Sequence, residues 1–136
     1  MKVFLDTNVV VDFLAEREDF YDAAAAIMSL AYKGEIALVV SATTFVNAFY
    51  LMSKHYPQDM LYAKLTEFAA MCTISDVDHS MIIEALRLQK IDFEDTVQQL
   101  SANSESVDII VTRDKHFKDY EGNIMTPVQF LDTYFN

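Results

Sequence analysis

Glycine, proline and cysteine are scarce in this chain of 136 residues, which has two glycines, two prolines and one cysteine. With so few turn-forming residues, no repeat and no low-complexity stretch, nothing indicates a linker, so we expect residues 1–136 to form one domain. Hydrophobic residues make up 52% of the chain, enough to bury a core without disulfides. Cys72 has no partner for a disulfide, and its apolar neighbours favour a buried small hydrophobe over a nucleophile.

Long apolar runs are also missing. No run approaches the roughly 20 residues that a helix needs to cross a bilayer. Lys2 and Asp6 place charge at the start of the chain before a signal-peptide core can form. We therefore expect a cytoplasmic protein that does not contact membranes.

Basic residues are few, since 10 Lys and Arg stand against 21 Asp and Glu and give a formal charge of −11. This sign disfavours a protein that binds nucleic acid passively by neutralising its backbone. An enzyme that gathers carboxylates around divalent cations is less affected, because the ion supplies positive charge locally. Surface solubility alone explains most of the acidic residues.

Short β-branched runs alternate along the chain with longer segments that have helical spacing. The predicted strands are Lys2–Leu5, 36–40, Cys72–Ser75, 107–112 and a minor strand at 124–125. The predicted helices are 8–15, 19–33 with Gly34 after its end, 43–55, 58–71, one capped by Asp78, 92–102, and a last one with Thr126 and Gln129 as a capping box. This alternation predicts a three-layer α/β/α sandwich with a central, mostly parallel sheet of four to five strands.

Acidic residues follow two of the predicted strands. Asp6 comes directly after the first strand, and Asp114 follows strand 107–112. In parallel α/β sheets the crevice that carries chemistry opens beyond the carboxyl ends of the strands, so we expect both carboxylates there. Asp92 and Asp95, one helical turn apart, provide a third acidic segment.

Several carboxylates in one crevice repel each other and raise their own pKa values unless a cation lies between them. Ligation by oxygen alone suits Mg²⁺ or Mn²⁺. Such an ion polarises a phosphate and lowers the pKa of water, which is the chemistry of phosphodiester hydrolysis. The pattern therefore predicts a metal-dependent hydrolase.

Four short segments carry these acidic residues and the hydroxyls and amides beside them. They are Leu5-Asp6-Thr7-Asn8, Val40-Ser41-Ala42-Thr43, Asp92-Phe93-Glu94-Asp95 followed by Ser101-Ala102, and Thr112-Arg113-Asp114. In their order and spacing they resemble the motifs of PIN domains, the fold of metal-dependent ribonucleases that include bacterial toxins of the VapC type. The resemblance covers the whole chain.

The resemblance implies an endoribonuclease that uses Mg²⁺ or Mn²⁺, with Asp6, Asp95 and Asp114 as the catalytic, metal-binding carboxylates. It implies supporting roles for Thr7, Asn8 and Asn47. Asp92 lies one helical turn before Asp95, and Ser41 and Thr112 offer hydroxyls near the crevice, either to bind a metal-bound water or phosphate or only to satisfy backbone groups. Arg113 and Lys115 flank Asp114 and are candidates either for holding the RNA phosphates or for a solvent-exposed role. It also implies a homodimer and, for a toxin, an antitoxin protein that covers the crevice.

Asn47 departs from the family's pattern, which places a glutamate about two turns into the helix after Ser41. An amide can donate a hydrogen bond or offer a neutral oxygen to a metal, but it brings no charge and cannot act as a base. Three carboxylates would remain instead of four. The main competing interpretation is therefore a catalytically impaired PIN-like domain that acts as a binding or dimerisation module. A phosphatase for small phosphorylated molecules is a third interpretation.

Each candidate also has a purely structural interpretation. Asp95 suits the first turn of a helix, and Asp114 suits a turn. Asp6 lies between an apolar strand and an apolar helix, so its carboxylate must be partly buried and needs a partner. We expect Thr7 or Asn8 to cap the first helix.

Overall fold

The computed structural model describes residues 1–114, 117 and 123–135, and these form a parallel β-sheet with helices on both faces. The strands are β1 Lys2–Leu5, β2 Ala37–Ser41, β3 Cys72–Ser75, β4 Ile109–Val111 and β5 Asn123–Met125. The helices are α1 Thr7–Leu14, α2 Tyr21–Tyr32, α3 Ala42–Met52, α4 Gln58–Ala69, α5 His79–Leu88, α6 Phe93–Ser104 and α7 Pro127–Tyr134. The predicted three-layer sandwich is confirmed.

The five strands lie in the order β3-β2-β1-β4-β5, and every neighbouring pair is parallel. The central strand β1 pairs with β2 on one side and β4 on the other, where Val3 faces Leu38 and Ile109. The chain first builds the sheet outward through β2 and β3, and later returns to the other side of β1. This change of direction opens a crevice at the carboxyl ends of β1 and β4.

Alternate residues of the central strands pack into two cores, one on each face of the sheet. Val3 and Leu5 belong to the larger core, to which α1, α2, α3, α4 and α7 contribute. Phe4 points to the opposite face and packs with Ala102 of α6 and with Phe117. Burial on both faces explains why these strands are continuous apolar runs in the sequence. It also puts α6, with its acidic first turn, on a different layer from α1 and α3.

The helix ends follow the predicted signals in most cases. Asp78 accepts a hydrogen bond from the Met81 N–H at 3.0 Å, and the capping box of Thr126 and Gln129 starts α7. Gly34 has a φ of +77° just after α2, a conformation that glycine adopts without strain. Among the described residues, no helix combines the length and the apolar character needed to cross a membrane.

The prediction for the start of the first helix is wrong. Neither Thr7 nor Asn8 is the cap, because Asp6 itself occupies the N-cap with extended backbone angles. Its side chain accepts a hydrogen bond from the Thr7 N–H at 2.7 Å. One carboxylate therefore ends β1 and also starts α1, which leaves Asn8 available for other contacts.

Candidate metal centre and active site

Asp6 is 3% exposed at the carboxyl end of β1, and four donors hold its carboxylate. Oδ1 accepts from the Thr7 N–H at 2.7 Å and from Gln98 Nε2 at 2.7 Å. Oδ2 accepts from the Thr112 hydroxyl at 2.7 Å and from Asn8 Nδ2 at 3.0 Å. The predicted burial and partnering of this carboxylate are confirmed, and contacts to both oxygens fix its orientation.

Two further carboxylates meet Asp6 at this edge of the sheet. Asp6, Asp95 and Asp114 each offer an oxygen, and these oxygens all lie within 4.8 Å of one another. Asp95 is 6% exposed in the first turn of α6, where its N–H donates to Asp92 Oδ1 at 3.0 Å. The N–H of Asp114 donates to the Thr112 hydroxyl at 2.9 Å. The structure therefore brings together three residues from distant parts of the sequence.

Burial and mutual repulsion both act on these carboxylates. Burial raises the pKa of Asp6, while hydrogen bonds from Thr112, Gln98 and Thr7 act in the opposite direction. The pKa of Asp95 is raised to about 9. Burial is the largest cause, and the hydrogen bond with Asp114 and the charge of Asp6 raise it further. Without a cation, this cluster therefore favours a retained proton.

The donor set fits a hard divalent cation. All three candidate ligands are carboxylate oxygens, which suit Mg²⁺ or Mn²⁺. Asp95 Oδ2 and Gln98 Oε1 are buried without a hydrogen-bond partner, an arrangement that costs free energy unless a donor or a cation satisfies the oxygen. Asp6, Asp95 and Asp114 are thus the residues that would hold the ion.

Asn47 lies at the edge of this cluster, in the second turn of α3, and contacts a residue that the sequence analysis missed. Its Nδ2 donates to Glu94 Oε1 at 3.0 Å, and Gln98 Nε2 lies 3.4 Å from the same oxygen. The pKa of Glu94 is raised, mainly by burial and next by the charge of Asp6. The hydrogen bond from Asn47 acts in the opposite direction. The sequence contains one signal for these residues. Gln98 follows Glu94 by four residues and Asp95 by three, so all three lie on one face of the helix.

The hydroxyls of Ser41 and Thr7 hold the first turns of α3 and α1 in place beside the crevice. Ser41 is fully buried, and its Oγ caps α3 by accepting from the Thr43 N–H at 3.2 Å. Thr7 Oγ1 lies 2.8 Å from Thr44 Oγ1, which ties α1 to α3. Their hydroxyls hold the helices that flank the carboxylates.

Arg113 forms an ion pair with the fully buried Asp12 instead of extending freely from the crevice. Its Nε and terminal nitrogen donate to the two oxygens of Asp12 at 2.6 and 2.9 Å, and its guanidinium lies 3.7 Å from the ring centroid of Phe20. Its backbone N–H donates to Asn8 Oδ1 at 3.3 Å. These contacts favour an anchoring role, and phosphate binding by Arg113 stays a prediction. Lys115 lies outside the described residues.

Comparison with known families agrees with this arrangement. A family model described as a PIN domain matches residues 2–116. The chain belongs to the PIN domain family. Its match begins in β1, which leads to Asp6, and extends past Asp114, so it includes all three clustered carboxylates of this PIN domain.

Individual proteins similar to this PIN domain include a named ribonuclease, a toxin of known structure and a chain of a toxin-antitoxin complex. Ribonuclease VapC1 of Aquifex aeolicus (strain VF5) is 24% identical over 138 residues, which cover 98% of this chain and 95% of the relative. Mycobacterium tuberculosis VapC20, a Sarcin-Ricin loop cleaving toxin, superposes with a TM-score of 0.70 at 11% identity and 88% and 95% coverage. A chain in a toxin-antitoxin complex from Klebsiella pneumoniae superposes with a TM-score of 0.64 at 19% identity. The match covers 92% of this chain and 97% of that chain. The structural matches show a shared fold.

The metal-free PIN domain is expected to lose stability as the pH rises from about 5 to about 9. The pKa of Asp95 is about 9 in the folded protein and near 3.8 as its reference value, so the folded state holds a proton that the unfolded state releases. This stabilisation is complete below the lower pKa and is lost as the pH rises through the higher one.

The measurement is thermal unfolding in EDTA across this pH range. Asp95→Asn should flatten the dependence and raise the unfolding temperature at pH 9 by about 5 °C. The matched control is Asp22→Asn, which changes an exposed aspartate in α2 and should leave the pH dependence unaltered. An Asp95→Asn protein with the wild-type pH dependence would contradict this assignment.

Proposed function

We propose that this PIN domain is a Mg²⁺- or Mn²⁺-dependent endoribonuclease and the toxin of a toxin–antitoxin pair. The carrying observation is the convergence of Asp6, Asp95 and Asp114 oxygens within 4.8 Å at the carboxyl edge of the sheet. Similarity to Ribonuclease VapC1 supports the activity, and similarity to a chain of a toxin-antitoxin complex supports an antitoxin partner. Such an enzyme would act on RNA in the cytoplasm, as a homodimer.

Each carboxylate has a defined part in this proposal. When bound, the ion polarises the scissile phosphate and lowers the pKa of the attacking water. Asp6 cannot reorient, because four donors hold it, while the first turn of α6 positions Asp95 and the Thr112 hydroxyl positions Asp114. Groups fixed in advance need not rearrange as charge develops in the transition state.

The charge of the crevice also bears on substrate binding. In a cation-free site Asp95 retains a proton, and the carboxylates of Asp6, Asp114 and the neighbouring Glu94 would repel the phosphates of RNA. The net charge of −11 offers no general attraction to compensate. We therefore expect removal of the cation to weaken RNA binding as well as cleavage.

Cleavage of a labelled single-stranded RNA pool tests the proposal. Purified protein should cut the RNA with Mg²⁺ or Mn²⁺ and should leave it intact in EDTA, because EDTA would remove the cation that Asp6, Asp95 and Asp114 would hold. DNA of matching sequence is the comparison substrate, and we expect it to stay intact under the same conditions. Folded, inhibitor-free protein that cuts no RNA with either ion would contradict the proposal and leave the binding or dimerisation module as the better interpretation.

A further inference from the structure

A carboxylate lies beside Asn47, but it belongs to another helix. Position 47 is in the second turn of α3, and its amide nitrogen donates to Oε1 of Glu94, in the first turn of α6, at 3.0 Å. The two helices belong to opposite layers of the sheet and meet at its carboxyl edge. The site therefore has a negative charge next to the position where the family's pattern places a glutamate.

Gln98 connects this carboxylate to the candidate metal ligands. It is fully buried, and its Nε2 lies 2.7 Å from Asp6 Oδ1 and 3.4 Å from Glu94 Oε1. A single amide nitrogen thus bridges the two carboxylates. The amide oxygen of Gln98 is buried without a partner, as is Asp95 Oδ2, and both need a donor or a cation to satisfy them. Asp95 belongs to the cluster of carboxylates, so its unpaired oxygen points to a ligand at the place where they meet.

A helix-end effect alone does not account for Glu94. Acidic residues are favoured in the first turn of a helix because the backbone N–H groups there carry partial positive charge. That effect requires no contact with another helix. Here the side chain accepts a hydrogen bond from α3 and lies within reach of a buried amide that also holds Asp6. Both contacts direct the carboxylate toward the cluster.

We propose that Glu94 supplies the fourth carboxylate of the cation site, in place of a glutamate at position 47, and that Asn47 is its positioning residue. This inference rests on the proposed function, because it completes the same site. The site then has four acidic groups, with the fourth on α6 instead of α3. Asn47 therefore indicates a rearranged site and not an impaired one.

Mn²⁺ binding to the purified protein, followed by the electron paramagnetic resonance signal of free Mn²⁺, tests the inference without any substrate. Glu94→Gln removes the charge but keeps an oxygen that can accept from Asn47, so the fold should be retained. We expect affinity to fall at least about tenfold, because the site loses one of its four carboxylates and even loss of a group beside the metal ligands costs about that much. Glu67→Gln makes the same change on the exposed side of α4 and should leave affinity within about twofold.

A rescue experiment separates a charge effect from a structural one. In the Glu94→Gln background, Asn47→Glu or Asn47→Asp returns a carboxylate to α3, and at least one of them should recover affinity to within about threefold of wild type. Circular dichroism and thermal unfolding verify that each variant is folded. Wild-type affinity in Glu94→Gln, or a loss that neither rescue recovers in folded protein, would overturn the inference.

RNA cleavage by the wild-type protein, measured in parallel, keeps this inference separate from the proposed function. Metal-dependent cleavage together with unaltered Mn²⁺ binding in Glu94→Gln would remove Glu94 from the site and leave the ribonuclease proposal in place. Mn²⁺ binding that depends on Glu94, without any RNA cleavage, would support the rearranged site and contradict the ribonuclease.

Discussion

Asp6→Asn is expected to reduce the rate of RNA cleavage about 1000-fold, which corresponds to about 4 kcal/mol of lost transition-state stabilisation. Asparagine has the size of aspartate and can still accept from the Thr7 N–H. It has no charge for a cation, and its amide group would face the donors on Asn8 and Thr112. Loss of one carboxylate also relieves repulsion with Asp114, so the variant should remain folded.

The matched control for this variant is Asp108→Asn. Asp108 is exposed at the start of β4, at the opposite edge of the sheet, where its Oδ2 accepts from the Lys2 N–H at 2.8 Å. Initial cleavage rates with Mg²⁺ should be near wild type for this control. Cleavage by Asp6→Asn within about tenfold of wild type would show that the activity does not depend on this carboxylate, and the site would have to lie elsewhere.

Arg113→Ala is expected to lower the free energy of unfolding by about 3 kcal/mol, because it leaves the fully buried Asp12 without its main partner. The remaining partner, Arg17, lies 3.4 Å away and is 43% exposed, so it offers only partial compensation. The guanidinium also covers the ring of Phe20, and that contact is lost as well. Urea denaturation with linear extrapolation gives the change.

Two further variants test the physical cause of this loss. Arg87→Ala breaks an exposed ion pair with Glu84 and should change the free energy of unfolding far less than Arg113→Ala does. Asp12→Leu combined with Arg113→Met replaces both charges with apolar groups and should recover most of the stability, because no uncompensated buried charge remains. Equal losses in Arg113→Ala and Arg87→Ala would contradict the assignment of a buried, stabilising contact to Arg113.

The sheet and the metal-site candidates are predictable from the sequence because they depend on simple rules. Strands buried on both faces must be apolar, so β1 and β2 are visible as continuous runs. A carboxylate directly after such a strand lies at the carboxyl edge, which identifies Asp6 and Asp114. Spacing within one helix then draws attention to Asp95.

The contacts that complete the site depend on how helices from different layers meet, and local patterns do not specify that. Glu94 and Gln98 are ordinary residues for a polar helix until α3 and β1 are placed beside them. Asp12 looks like an exposed acid in α1, yet it is fully buried against Arg113, which lies 101 residues further along the chain. The cap of α1 was missed because Asp6 serves both the helix and the crevice.

The Thr112 hydroxyl has a consequence for how the site responds to motion. It donates to Asp6 and accepts from the Asp114 N–H, so one side chain joins the ends of two paired strands in the middle of the sheet. Central strands open only when much of the domain unfolds, whereas loops open readily. The position of the Asp6 carboxylate at the end of β1 is thus as durable as the fold itself. A regulator would have to silence this site by covering it, since bending it would require unfolding the sheet.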